Sequence, residues 1–183
     1  MASPQNVITF WTHAGPSKWF RGGPSFDEAI RLRFEPVHHA CARGEHDDWA
    51  ATPEGALALV ICLDQFPRNL YRRSAHAFAT DGKARAAARA AIAEDFDTQV
   101  APELRPFFYL PFEHSEDPAD QALSVTLFEA LRDETGDEDS LKWAVNHKEI
   151  IDRFGRFPHR NPALGREMTE EEQAYLDEGG FAG

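Results

Sequence analysis

The chain is poor in the features that mark several common protein classes. It has two cysteines, Cys41 and Cys62, in 183 residues. Both fall within apolar helical patterns, so two buried free thiols in a reducing cytosol are expected rather than a disulfide. No Cys/His spacing resembles a structural zinc site, and no metal is expected. No apolar run approaches the roughly 20 residues of a membrane span; the longest is Ala56 to Leu63. The first residues carry no basic region ahead of a long apolar one, so no signal peptide is expected and the chain is placed in the cytoplasm. A glycine-serine-glycine nucleophile turn, a phosphate loop and a dinucleotide fingerprint are all missing, and no cofactor is expected. Period-2 alternation is missing too, which argues against strands.

Lysine is scarce as well. Of 19 basic residues 15 are arginine, against a net charge of −12. A chain this acidic has no general attraction for nucleic acid or for an anionic membrane, and neither is expected as a partner. The arginines are unevenly placed. Arg68, Arg72 and Arg73 follow one Phe-Pro segment, and Arg153, Arg156, Arg160 and Arg166 surround another. The two segments echo each other: Phe66-Pro67-Arg68-Asn69 and Phe157-Pro158-His159-Arg160-Asn161. The acidic residues concentrate elsewhere, at Asp133 to Asp139 and Glu167 to Glu178. Positive charge gathered on an acidic chain predicts a local basic pocket.

Helical punctuation runs the whole length. Ser3-Pro4 opens a helix that Gly15-Pro16 ends. Ser25 is expected to cap the next, with Phe26, Ile30, Phe34, Val37 and Cys41 on one face, Gly44 as the stop and a kink or split at Pro36. Thr52-Pro53 opens a helix whose Ala56–Leu63 stretch is apolar all round and therefore central, with Pro67 expected to close it. Asp64 continues its buried stripe, where a lone carboxylate is costly, and Arg68 four residues on is a candidate partner, as is an arginine from the late loop around Phe157. Thr80-Asp81 opens an alanine-rich helix. Asp117-Pro118 opens one running to about Arg132, and Glu138 to Phe154 forms another with Trp143, His147, Ile150, Ile151 and Phe154 facing inward. Thr169 and Glu172 make a capping box for a last helix, after which the tail is expected to fray. The expected fold is all-α: one domain over 1–183, built of antiparallel helix pairs as a tetratricopeptide-like bundle or solenoid.

Several signatures then coincide: Leu63-Asp64-Gln65-Phe66-Pro67-Arg68-Asn69, Ala77-Phe78-Ala79-Thr80-Asp81, Tyr109-Leu110-Pro111-Phe112-Glu113-His114-Ser115-Glu116-Asp117, and Arg153-Phe154-Gly155-Arg156-Phe157-Pro158-His159-Arg160-Asn161. Together with Phe10-Trp11, Trp19-Phe20, Phe26-Asp27 and Leu164-Gly165-Arg166, they resemble the bacterial domain of unknown function family 924 over nearly the whole chain. The resemblance implies a helical fold similar to tetratricopeptide helix pairs and supplies no catalytic residues. One departure is Glu113, where the family pattern more often has methionine.

Three readings of the ionisable residues compete. In the first, Asp64, Arg68, Arg153, Arg156, His159 and Arg160 line a pocket for a small anionic ligand, a carboxylate or phosphate. His114, Glu116 or His147 would then move a proton there, histidine because it titrates near neutrality and a carboxylate if burial raises its pKa. In the second, the arginines pair with carboxylates and pin loops to helices. The third is a protein–protein interaction scaffold of tetratricopeptide type. Seven arginines in the two segments outnumber the nearby acids, so the anion pocket is the reading preferred.

Overall fold

The structure, a computed structural model, describes residues 3–183. Met1 and Ala2, part of the stretch expected to hold no signal peptide, lie outside the described residues. Among the described residues every regular element is helical, and no helix is long and apolar enough to cross a membrane. The chain divides into two compact units. Unit 1 holds the residues up to Arg72 together with His76–Pro111; unit 2 holds Arg73–Ala75 and Phe112–Gly183.

In unit 1, α1 (Pro4–Ala14) starts where Ser3 accepts the Asn6 N–H, and a one-turn α2 (Pro16–Trp19) follows. Helix α3 (Pro24–Arg43) begins two residues earlier than a Ser25 cap would give, with Gly23 at the cap and Pro24 in the first turn. Pro36 lies inside α3 without splitting it: one missing hydrogen bond does not break a 20-residue helix packed along its length. The central helix has three consecutive parts: α4 (Pro53–Val60), a π-helical segment (Ile61–Gln65) and α5 (Phe66–Leu70). Pro67 therefore does not close this helix. The wider π turn accommodates it, and the chain stays helical to Leu70. Ala56 to Leu63 are all buried, as an all-round apolar helix requires. Around it pack α1, α3 and the alanine-rich α6 (Asp81–Ala93), whose Ala84, Ala88 and Ala91 allow close approach. Trp11 forms the aromatic centre, edge-on to Phe66 and Phe107 at 5.8 and 5.4 Å. Cys41 and Cys62 are free and buried.

Helix α7 (Pro106–Glu113) runs from unit 1 into unit 2 at Pro111. Unit 2 is organised on an antiparallel pair, α8 (Pro118–Thr135) and α9 (Glu138–Phe154), joined through Gly136 at φ +79°. Gln121, fully buried, donates to the carbonyls of Glu113 and Ser115, both at 2.7 Å, and so satisfies the end of α7. After α9 the chain turns at Gly155 and runs extended at Phe157. It then makes a 3₁₀ turn over Pro158–Arg160, the one-turn α10 (Asn161–Leu164) and the last helix, α11 (Glu170–Asp177). One-turn helices such as α2 and α10 are too short for hydrophobic periodicity to detect.

Two further expectations are corrected in unit 2. Trp143 does not join the inward stripe of α9 and is 52% exposed, because it sits at the edge of that stripe. The tail, expected to fray, is instead bonded and packed. Gly180 N–H bonds the Tyr175 carbonyl and Phe181 N–H bonds the Tyr175 hydroxyl, both at 2.9 Å, and Phe181 packs against the core of Ile150, Ile151 and Phe157.

Candidate functional site

Asp64 and Arg68 belong to unit 1 and form a closed polar group there. Asp64 is fully buried, with Arg68 Nη1 at 3.2 Å and Gln65 Nε2 donating at 2.7 Å. The same guanidinium grips Asp81 with two hydrogen bonds, 2.9 and 3.1 Å. Burial opposes the Arg68 charge, but Asp64 and Asp81 outweigh it and raise its pKa. Side chains also cap the π segment. Four successive carbonyls accept from outside the ladder: Cys62 from His38 at 2.8 Å, Leu63 from Thr80 at 2.5 Å, Asp64 from Arg68 at 2.6 Å and Gln65 from Asn69 at 3.0 Å. The proline explains the second of these. Pro67 has no N–H to offer Leu63, and Thr80 supplies one hydrogen instead.

In unit 2, Arg153 and Arg156 point to α11. Arg153 meets Glu171 at 3.0 Å on the surface. Arg156 binds the buried Glu172 with two hydrogen bonds, 2.6 and 2.9 Å. Glu172 also accepts from Asn161 at 3.1 Å and from the Thr169 N–H at 2.8 Å, closing the capping box. The Arg156 hydrogen bonds, opposed by burial and helped by Thr169 and Asn161, hold the Glu172 carboxyl down to about 2. Glu116 is gripped by Arg166 at 2.7 and 2.9 Å and accepts the Phe157 N–H at 2.8 Å. Burial pushes the Glu116 carboxyl up, but these bonds and the charges of Arg166 and Arg160 bring it below its ordinary value. A carboxylate so held stays ionised near neutrality and anchors the 155–166 loop. The clustered Arg68, Arg72, Arg153, Arg156 and Arg166 have carboxylate partners. The positive excess inferred from neighbouring residues is thus met by Asp27, Asp81, Glu171 and Glu172.

The remaining site residues of unit 2 do come together. His114 and His147 lie 6.5 Å apart between ring centres. Phe157, fully buried, packs on His147 at 5.5 Å and His159 at 5.7 Å, and the Arg160 guanidinium lies over its ring at 4.6 Å. Arg160 is itself buried. Phe181 completes the group, 4.5 Å from His147 and 5.1 Å from His159. His159 Nδ1 is enclosed and makes no hydrogen bond. Burial, then the nearby charges of Arg160, His147 and His114, push the His159 imidazole down to about 3, against the pull of Glu116. It is neutral at physiological pH, with burial as the main cause. His147 Nδ1 lies 2.9 Å from the Trp143 carbonyl and 3.3 Å from Glu113. A carbonyl only accepts, so Nδ1 carries the hydrogen and Nε2 is the basic nitrogen of the neutral ring.

Asp81, Glu113, Arg166, Glu172 and Phe181 were not among the expected site residues. Glu172 was legible only as half of a capping box, and Glu113 only as a departure from the family pattern. No group of three or more His, Cys, Asp or Glu among the described residues is arranged to hold a metal.

A family model described as bacterial protein of unknown function matches residues 7–180. A solved structure of a protein of unknown function from Agrobacterium tumefaciens is 46% identical, with a TM-score of 0.91, covering 96% of this chain and 97% of that one. No curated protein matches.

Proposed function

Because the chain belongs to the bacterial domain of unknown function family 924, we propose a function from its own residues: unit 2 binds a small anionic ligand, a carboxylate or phosphate, at His114, His147, His159 and Arg160. The observation that carries this is His159 Nδ1, a buried polar atom with no hydrogen-bond partner, in a cluster that also holds the buried Arg160. Such an atom calls for an occupant that can complete it. An anion would accept from the imidazole N–H and be drawn by Arg160, a planar donor fork suited to carboxylate or phosphate. If the ligand is turned over, His147 is placed to take a proton at Nε2, with its other nitrogen oriented by the Trp143 carbonyl. Arg153 and Arg156 hold α11, and Glu116 holds the loop; this reading gives them positioning roles. The protein works in the cytoplasm without nucleic acid or membrane, as its acidic charge and free thiols suit.

The test is a melting-temperature screen against inorganic phosphate and small carboxylates. A ligand at 100 times its Kd adds about 2.7 kcal/mol to stability. The shift should vanish in Arg160→Met and His159→Asn and persist in Arg156→Lys. No shift with any anion, or shifts untouched by Arg160→Met and His159→Asn, would reject the site.

The second reading, a tetratricopeptide-type scaffold, has one observation in its favour: an open depression on α9 lined by Leu141, Lys142, Val145 and Glu149. It expects Val145→Glu to abolish a stoichiometric partner while every anion shift stays.

A further inference from the structure

We infer that residues 179–183 form a strap occupying the ligand slot of unit 2, and that the ligand displacing it is a flat aromatic ring carrying an anionic group. The inference rests on the anion site proposed above and specifies its ligand class. The Phe181 ring lies in a box of rings: His147 at 4.5 Å, His159 at 5.1 Å and Trp143 at 6.1 Å, meeting it at 61°, 89° and 55°. Phe157 packs on both histidines. The two histidines meet the ring edge-to-face, an arrangement that favours an aromatic occupant over an aliphatic one of equal size. The basic groups stand beside the box, because His159 is one of its walls and Arg160 lies over Phe157. A ring slot with positive charge at its side is complementary to an aryl carboxylate or aryl phosphate.

The strap is placed by design of the backbone rather than by chance contact. Gly179 takes φ +87°, a conformation that glycine favours. At Gly180 a Cβ would fall 2.5 Å from the Tyr175 ring and 2.6 Å from the Tyr175 carbonyl, so only glycine lies flat there. The two glycines let Gly180 and Phe181 bond Tyr175 and lay the ring on the histidines. Gly183 continues over His159, close enough that a Cβ there would sit 3.0 Å from the imidazole. A ligand entering the box has to displace this segment, which therefore acts as a built-in competitor.

The experiment uses the full chain, Phe181→Ala and Gly180→Ala, titrated with benzoate, acetate and benzyl alcohol. Binding is read from the His147 and His159 imidazole NMR signals. Gly180→Ala retains every buried side chain and lifts the strap by its collision with Tyr175, so the test survives if Phe181→Ala fails to fold. The expected result is that benzoate binds either variant about tenfold more tightly than the parent chain, since it no longer competes with Phe181. Acetate should bind all three equally and more weakly than benzoate. If acetate moves the histidine signals but neither variant tightens benzoate, the anion site stands and the strap inference is overturned. Silence from both anions in all three proteins would overturn the anion site and the inference together. Benzyl alcohol binding as tightly as benzoate would show a ring slot indifferent to charge, which also overturns the inference.

Discussion

The two Phe-Pro segments share a pattern and end in opposite structures. Phe66-Pro67-Arg68-Asn69 lies inside the continuous central helix of unit 1. Phe157-Pro158-His159-Arg160-Asn161 begins with extended Phe157 and breaks into a 3₁₀ turn and a one-turn helix. What precedes each proline makes the difference. Gly155, left-handed at φ +68°, ends α9 before Pro158 is reached, so that proline starts a new turn. No glycine precedes Pro67. The helix widens into a π turn instead, and side chains take over the carbonyls it leaves exposed. The arginines then diverge. Arg68 is locked between two carboxylates, whereas the Arg160 guanidinium lies over the ring of Phe157, which also packs on His159, and helps lower the Glu116 carboxyl. A closed charge group braces structure; positive charge next to an uncompleted polar atom suits a ligand.

The largest expected effect comes from opening the closed group. Arg68→Met keeps much of the side-chain volume and leaves Asp64 and Asp81 buried without their cation. Breaking a buried pair from one side costs about 3–5 kcal/mol, to be measured by urea unfolding. A loss within error would mean that the two carboxylates find protons or water at little cost, and the contrast with Arg160 would lose its basis.

A smaller effect is expected at the unit 2 clasp. Glu172→Gln should cost about 2 kcal/mol, since it removes the charge that Arg156 grips. The pH dependence has a definite sign. The Glu172 pKa is about 2 when folded against an ordinary 4.5, so the folded state favours the ionised form. Its contribution is complete above pH ~4.5 and fades as pH falls toward ~2. The parent chain should therefore lose stability across that window faster than Glu172→Gln does. Parallel acid profiles would show that the clasp adds nothing to stability.

The helical class, the buried central helix, buried Asp64 with Arg68, and inward His147 were all legible, because apolar periodicity and caps are local in sequence. Partners beyond the helix were not. Asp81 lies 13 residues from Arg68 and Glu116 lies 50 from Arg166, and nothing in either segment encodes which carboxylate folds back on it. The error about excess positive charge followed directly, since charge was balanced against neighbours in sequence. Phe181 was missed for a different reason: a tail after two glycines reads as unstructured unless one knows that Gly180 must lie against Tyr175. Pro67 misled because proline reads as a helix stop, and the Thr80 hydroxyl that removes the penalty is 17 residues from Leu63.

That hydroxyl gives the smallest and most specific test of why the two segments differ. Pro67 denies the Leu63 carbonyl its i+4 donor, and Thr80 Oγ1 donates in its place. Thr80→Val is nearly isosteric and removes only the donor, so it should cost about 1 kcal/mol. Pro67→Ala restores an N–H four residues after Leu63, and in that background Thr80→Val should cost much less. The double-mutant coupling, read from urea unfolding of the four proteins, is expected at about 0.5–1 kcal/mol. If Thr80→Val costs the same with and without Pro67, the hydroxyl is not replacing the missing N–H. The π segment would then have to be held open by the His38, Arg68 and Asn69 contacts alone.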